Sequence, residues 1–460
     1  MTETHGVPAD EPSVAREQSR RRTGNYLRQI ATSLAFKVGA IGASFCAVPL
    51  MIRYLGQERY GVWATLLGVI SWAVFFDFGI GNGLRNKVAE TLAKNDRPEA
   101  ARYISSGYTL IAGVGVLLWV GLLTASVLVP WQQVFNTTSV SAASLRATVQ
   151  VAGSFILLNF WVGLVGPLLG SVQKTAMVSA GQLLSNLFSL ACVFLLWRLT
   201  TASILWLGWA YGFSLVAANA VLTVFFFGQN ADLRPRLSMD KRHVQPILSV
   251  GFQFFTIQIA VLVIFTTDKM LITQFFGPEQ VTAYDVVFKI FSIITFLHTL
   301  VSAPLWSAYT EAYHRDDMAW IRKMLGKQVG LFIGFVVMSV SLALLARPLI
   351  ALWVGTAVQV DSHVVAAMAV FTVVSTWNNV FGMPLGGMGK IRLGSIYTLF
   401  SAALNLPLAY FLAVTFRMGT AGIVVATTLS IAASSFISPM QIYYFVFAKR
   451  RNPFWEAVLR

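Results

Sequence analysis

Apolar runs of 22 to 29 residues recur along almost the whole of this 460-residue chain. No other feature constrains the fold as tightly. About 20 apolar residues in a helix cross about 30 Å of hydrocarbon, and a backbone facing lipid must satisfy its own hydrogen bonds. Each run is therefore expected to be a transmembrane helix. A membrane β-barrel would need stretches of about ten residues alternating in polarity, and these runs do not alternate. Twelve spans can be drawn, at 28–52, 60–84, 104–130, 147–171, 177–198, 202–227, 247–275, 281–307, 329–352, 363–388, 393–415 and 420–446. Prolines 49, 167, 304, 384 and 407 fall within them and can kink or break helices.

Only 12% of the residues are charged, about half the roughly 25% of a soluble domain. That composition excludes a cytosolic enzyme, a secreted disulfide scaffold and a disordered protein. HExxH, GxSxG and CxxC motifs are missing, and Gly386-Gly387-Met388-Gly389-Lys390 fails the spacing of a phosphate loop. The reading is of a protein that is not an enzyme and has no metal or organic cofactor. Cys46 and Cys192 lie inside apolar runs and read as small core residues.

The net charge of +15 would suggest nucleic acid in a soluble protein. Here it reads as the bias of Lys and Arg toward cytoplasmic loops, and no nucleic-acid partner is expected. With the N-terminus inside, 25 of the 34 Lys and Arg fall on the inner side, 6 on the outer side and 3 within spans. Twelve spans with both termini cytoplasmic follow. Residues 1–24 read as a disordered tail and 449–460 as a basic tail.

The chain also repeats itself. An offset of 219 carries Arg198 with Thr201-Ala202-Ser203-Ile204 onto Arg417 with Thr420-Ala421-Gly422-Ile423, Gly170 onto Gly389, and Asn186-Leu187 onto Asn405-Leu406. An offset of 221 carries Gly56-x-Glu58 onto Gly277-x-Glu279, and 220 carries Asp96…Arg102 onto Asp316…Arg322. The expected architecture is two six-helix bundles, 25–228 and 247–448, joined by a basic linker at 229–246. Six is an even number, so both bundles share one orientation and are related by a pseudo-two-fold axis along the membrane normal, with a cleft between them.

Ionisable groups inside spans cost at least about 2.5–3.5 kcal/mol each at the bilayer centre, so they face a cavity or a partner. The candidates are Lys37, Asp77, Asp268, Lys269, Asp285, Lys289 and His298. Lys37 and Asp77 lie at similar depth and can pair. Asp285 and Lys289 are i,i+4 on one helix face. Such pairs either hold adjacent spans together or line the cleft, where cations attract an anionic headgroup. Asp77 and His298 are the candidates for proton coupling.

The residues Pro49-Leu50-Met51-Ile52-Arg53-Tyr54-Leu55-Gly56, Tyr60-Gly61-Val62-Trp63 and Asp77-Phe78-Gly79-Ile80-Gly81-Asn82-Gly83-Leu84-Arg85 resemble the opening of bacterial O-antigen and exopolysaccharide flippases. Asp268-Lys269 ahead of Phe276-Gly277, then Gly389-Lys390, Asn405-Leu406 and Gly419-Thr420-Ala421-Gly422-Ile423, are similar to their second half. Those proteins belong to the multidrug/oligosaccharidyl-lipid/polysaccharide exporter superfamily. The resemblance covers about residues 25–448. It implies an all-α polytopic fold of twelve helices, MATE-like, with a central cavity. It implies a secondary transporter of the inner membrane that flips a polyprenyl-diphosphate-linked oligosaccharide to the periplasmic face, coupled to H+ or Na+. A polymerase and glycosyltransferases would be its pathway neighbours. The cavity charges would be Lys37, Asp77, Lys269 and Lys289, with Asp268 and Asp285. Alternatives are a multidrug antiporter of the same superfamily, a lipid II flippase, or a membrane scaffold without transport.

Overall fold

The computed structural model describes residues 11–73, 79–302 and 305–448, with side chains described at all of these except 11–30, 71, 73, 250–265 and 307. The described residues form helices and connecting turns, with no strand among them. The first half contains α1 (Glu11–Leu55), α2 (Gln57–Ala73), α3 (Ile80–Ala93), α4 (Arg97–Leu128), α5 (Trp131–Val134), α6 (Ala142–Val162), α7 (Val165–Ser171), α8 (Thr175–Leu199) and α9 (Ile204–Gln229). The second contains α10 (Lys241–Phe276), α11 (Pro278–Ser302), α12 (Leu305–His314), α13 (Met318–Val354), α14 (Ser362–Gly387), α15 (Arg392–Tyr410), α16 (Gly419–Ala432) and α17 (Ser434–Ile442). Ten helical segments among the described residues are long and apolar enough to cross a membrane. The other two expected spans, 60–84 and 247–275, coincide with α2–α3 and α10 and include residues outside that description.

Side chains satisfy the first free N–H groups of several helices. Asp96, Ser141, Ser203, Asp240, Asp317 and Asp361 accept backbone hydrogen bonds at the starts of α4, α6, α9, α10, α13 and α14. Within the first half α1 packs along α8, α6 along α9, and α3 on α4. In the second, α14 is central, touching α11, α12, α13, α16 and α17. This agrees with two bundles. Helix α10 straddles them, packing on α2, α3 and α4 as well as on α11, α15 and α16.

The turns locate the repeat more finely than the sequence does. Gly56 and Gly277 end α1 and α10 with φ of 79° and 88°, positive values that glycine adopts without strain. Asn95 and Asp316 both take positive φ, and the following residues, Asp96 and Asp317, cap α4 and α13. The equivalent of Asp96 is thus Asp317, one residue beyond the sequence pairing. At the turn after α7, Gln173 and Gly389 take positive φ, and Lys174 N and Lys390 N bond to Leu169 O and Leu385 O at 2.8 and 2.9 Å. Gly170 therefore corresponds to Gly386, not Gly389.

Three further expectations are corrected. Residues 11–24 are not a disordered tail, because α1 starts at Glu11. A proline at the second helical position and a run of Glu, Gln, Ala and Arg, all good helix formers, extend it beyond the apolar span. Helix α10 starts at Lys241, capped by Asp240, so the linker shortens to 230–240. Cys46 is exposed and Cys192 partly so, both as free thiols. A small apolar thiol facing hydrocarbon needs no burial in protein. The 449–460 tail lies outside the described residues.

Candidate functional site

The turn at Gly277 folds α10 back against α11. Residues equally distant from that glycine come level, so Lys269 faces Asp285. The Lys269 Nζ lies 2.5 Å from Asp285 Oδ1. From one helical turn further on, Lys289 Nζ stands 3.8 Å from Asp285 Oδ2. The same oxygen accepts a 2.7 Å hydrogen bond from Tyr60 OH, across from α2 in the first half. Asp285 is 2% exposed, whereas the side chains of Lys269 and Lys289 are 25% and 26% exposed. Two half-buried ammonium groups therefore flank one buried carboxylate, an arrangement with excess positive charge.

This cluster belongs to a longer seam between the halves. Thr282 Oγ1 donates to Gln57 O at 2.7 Å, Thr65 and Thr273 share a hydroxyl hydrogen bond of 2.5 Å, and Trp72 Nε1 donates to Thr266 Oγ1 at 2.8 Å. Asn136 Nδ2 reaches Thr273 O at 3.1 Å. Gln57 and Trp72 are separated by roughly 22 Å of helix, at about 1.5 Å per residue. A Cβ added to Gly61 would stand 1.7 Å from Pro278 O. Only glycine lets the two helices approach this closely. These contacts thus join the halves from the Gly56/Gly277 turns along roughly 22 Å of α2.

Away from those turns the contact loosens. A cavity of about 130 Å³ separates α1 from α11, lined by Ile41, Ser44, Phe45, Lys289, Ser292 and Phe296 among others. Lys37 is exposed on α1, one turn before Ile41, and so shares the face that lines this cavity.

Asp268 is adjacent to Lys269 but points elsewhere, since successive helical residues are about 100° apart. Its carboxylate accepts hydrogen bonds from Tyr284 OH at 3.0 Å and Thr427 Oγ1 at 3.1 Å. Thr427 in turn accepts from Asn405 Nδ2 at 3.1 Å, and Asn405 Oδ1 is buried without a partner among the described residues. His298 is buried with Nε2 3.1 Å from Ser302 Oγ, its Nδ1 unpartnered among the described residues, and its ring edge-on to Phe335.

The structure thus gathers Lys269, Asp285 and Lys289, and leaves Lys37 exposed on the face of α1 that lines the cavity of Lys289. It separates Asp268 and His298 from that group. Asp77, and with it the expected pairing to Lys37, lies outside the described residues. Sequence reasoning missed Tyr60, Thr427 and Asn405 as partners. Tyr60 and Asn405 stand in motifs that carry the resemblance, but their chemistry is visible only once the helices are placed.

A family model described as "Polysaccharide biosynthesis protein" matches residues 26–307. The chain is 22% identical over 423 residues to a protein of Salmonella typhimurium named "Putative O-antigen transporter", covering 90% of this chain and 95% of that one. It is 24% identical over 388 residues to a protein of the same name from Salmonella typhi, covering 81% and 85%. Among solved structures, an inward-facing multidrug resistance MATE family transporter of the MOP superfamily superposes with a TM-score of 0.74 at 15% identity, covering 90% of this chain and 98% of that one. An outward-facing MATE structure superposes at 0.62, with 14% identity, covering 90% and 95%. The fold is MATE-like.

Proposed function

This chain belongs to the polysaccharide biosynthesis protein family, and from that membership we propose that it flips a polyprenyl-diphosphate-linked oligosaccharide across the bacterial inner membrane. Glycosyltransferases would build that substrate on the cytoplasmic face, and a polymerase would consume it on the periplasmic face. Relatives named as O-antigen transporters support the reading, as does the MATE-like fold. The observation that carries it is the cavity between α1 and α11, where Lys289 meets the face of α1 that bears Lys37. A diphosphate is a compact, multiply charged anion, and cations at the edge of a membrane-embedded cavity are the groups that would hold it. A cationic drug would be repelled there, which disfavours an efflux antiporter.

Transport would run by alternating access. The seam from Gln57 to Trp72 closes the Gly56/Gly277 face, which we assign to the periplasm because the opposite loops carry the basic residues. The described state would therefore receive substrate from the cytoplasm. To release it outward, the bonds of Tyr60, Thr65 and Thr282 to the second half would have to open.

Coupling to an ion gradient would fall to a buried ionisable group. Asp268 has hydroxyl partners and, among the described residues, no cationic side chain paired with it. A buried carboxylate left in that state is costly, so a proton or a sodium ion has a reason to bind. His298, and Asp77 outside the described residues, are further candidates.

The test is reconstitution. Vesicles containing the purified chain and a labelled lipid-linked oligosaccharide should expose the glycan to an external glycosidase. Movement at the rate of protein-free vesicles would reject the proposal.

A further inference from the structure

A second and larger cavity lies entirely within the second half. It encloses about 510 Å³ among α11, α14, α15, α16 and α17, within the roughly 300–1,000 Å³ typical of small-molecule sites. None of its fourteen lining residues is charged, and nine carry a hydroxyl or a side-chain amide. Phe288, Phe291 and Phe371 supply aromatic rings.

Some of the polar groups serve the fold. Asn378 is engaged at both ends of its amide, donating to Ile431 O at 3.0 Å and accepting from Ser435 Oγ at 2.8 Å. Its neighbour Asn379 is different. Asn379 and Ser375 make no side-chain hydrogen bond among the described residues, though both are half-buried and line the cavity. They are i,i+4 on α14 and so share one face. An amide offers two donors and an oxygen acceptor, and groups of this kind inside a protein are ordinarily paired. An acyl chain would leave them unpaired, and an ion would find no counter-charge. Sugar rings satisfy both features, with hydroxyls for the amide and hydroxyl groups and an apolar C–H face for the phenylalanines.

The position matters as much as the lining. Ser292 lines this cavity and also the 130 Å³ cavity that holds Lys289. The neutral cavity and the cationic one therefore adjoin at Ser292. We propose that it is a saccharide subsite, taking neutral sugar rings of the substrate while Lys289 holds the diphosphate joined to them. This rests on the flippase reading above and extends it to how the glycan is recognised.

The test uses the purified full-length chain in detergent and two probes. One is polyprenyl diphosphate without sugar. The other is the glycan-bearing carrier extracted from the protein's own host after deletion of this transporter. Wild-type protein should prefer the glycosylated carrier by about tenfold or more. Asn379→Leu should collapse that preference toward one, while Lys289→Met should weaken binding of both probes. Ser375→Val, a smaller change on the same face, serves if the leucine variant does not purify as a single species. A preference that survives both α14 variants overturns the subsite. So does equal binding of the two carriers by wild-type protein that still depends on Lys289, and this leaves the flippase reading standing. Binding of neither carrier by the wild type overturns both.

Discussion

Tyr60 and Asp285 belong to opposite halves of the chain, 225 residues apart in sequence, and meet through one buried hydrogen bond of 2.7 Å. The bond joins α2 to α11 at the carboxylate that Lys269 and Lys289 already flank. The cationic cluster and the closure of the two halves are therefore one structure.

Tyr60→Phe removes that bond and keeps the ring. A hydrogen bond to a charged group contributes about 1.5–3 kcal/mol, so opening of the seam should become roughly ten- to a hundredfold more frequent. Maleimide labelling of a cysteine placed at Gln57, with Cys46 and Cys192 replaced by Ala, reads this directly. An unchanged labelling rate would show that the bond does not hold the seam.

The two lysines should differ in weight. Lys269→Met strips Asp285 of its close partner and should destabilise the protein by about 3–5 kcal/mol, the usual cost of breaking a buried pair. Lys289→Met removes a contact of 3.8 Å and should cost less. Thermal unfolding in detergent ranks them, and Lys269→Met combined with Asp285→Asn should recover much of the loss. Equal losses for the two single variants would contradict this ranking.

Gly61→Ala places a methyl group against Pro278 O, where the geometry leaves no room. Backbone cannot yield as a side-chain tip can, so α2 and α11 must separate. The variant should insert normally in the membrane and label rapidly at position 57, with glycan export reduced. Wild-type export together with slow labelling would mean that the helices accommodate the methyl group elsewhere.

Asp268→Asn is nearly isosteric: its amide oxygen keeps one of the two hydroxyl donors, Tyr284 or Thr427, and its NH2 faces the other, whose oxygen can turn to accept. It should fold normally and transport without response to an imposed proton or sodium gradient. Comparing vesicles with and without each gradient checks this. A gradient response equal to that of the wild type would remove Asp268 as the coupling group.

The helices were legible because the bilayer imposes one length and one polarity on every span. The repeat was legible too, though its register drifted. Gly56 with Gly277 was paired correctly because a helix end at positive φ demands a particular residue, and both copies kept it. Asp96 was paired one residue short because Asp316 and Asp317 are adjacent and look alike, and only the capping hydrogen bond from Trp320 N distinguishes them. Lys269, Asp285 and Lys289 were recognisable as charges out of place. That Asp268 turns away from them was not, since helix rotation is set by packing rather than by composition. The 510 Å³ cavity left no trace in sequence, because its serines, threonines and asparagines are spread over four helices and are unremarkable one by one.

The Gly277 hairpin has a mechanical corollary. Lys269 meets Asp285 at its own level on α11, and Asp268, on another face of α10, meets Tyr284 one residue back, so the two contacts are crossed rungs in one short stretch of the hairpin. Sliding either helix along the other by even half a turn would unseat both rungs together. A proton or cation bound at Asp268, as proposed above, would thus be geared to the Tyr60 bond through the spacing of a single peptide unit.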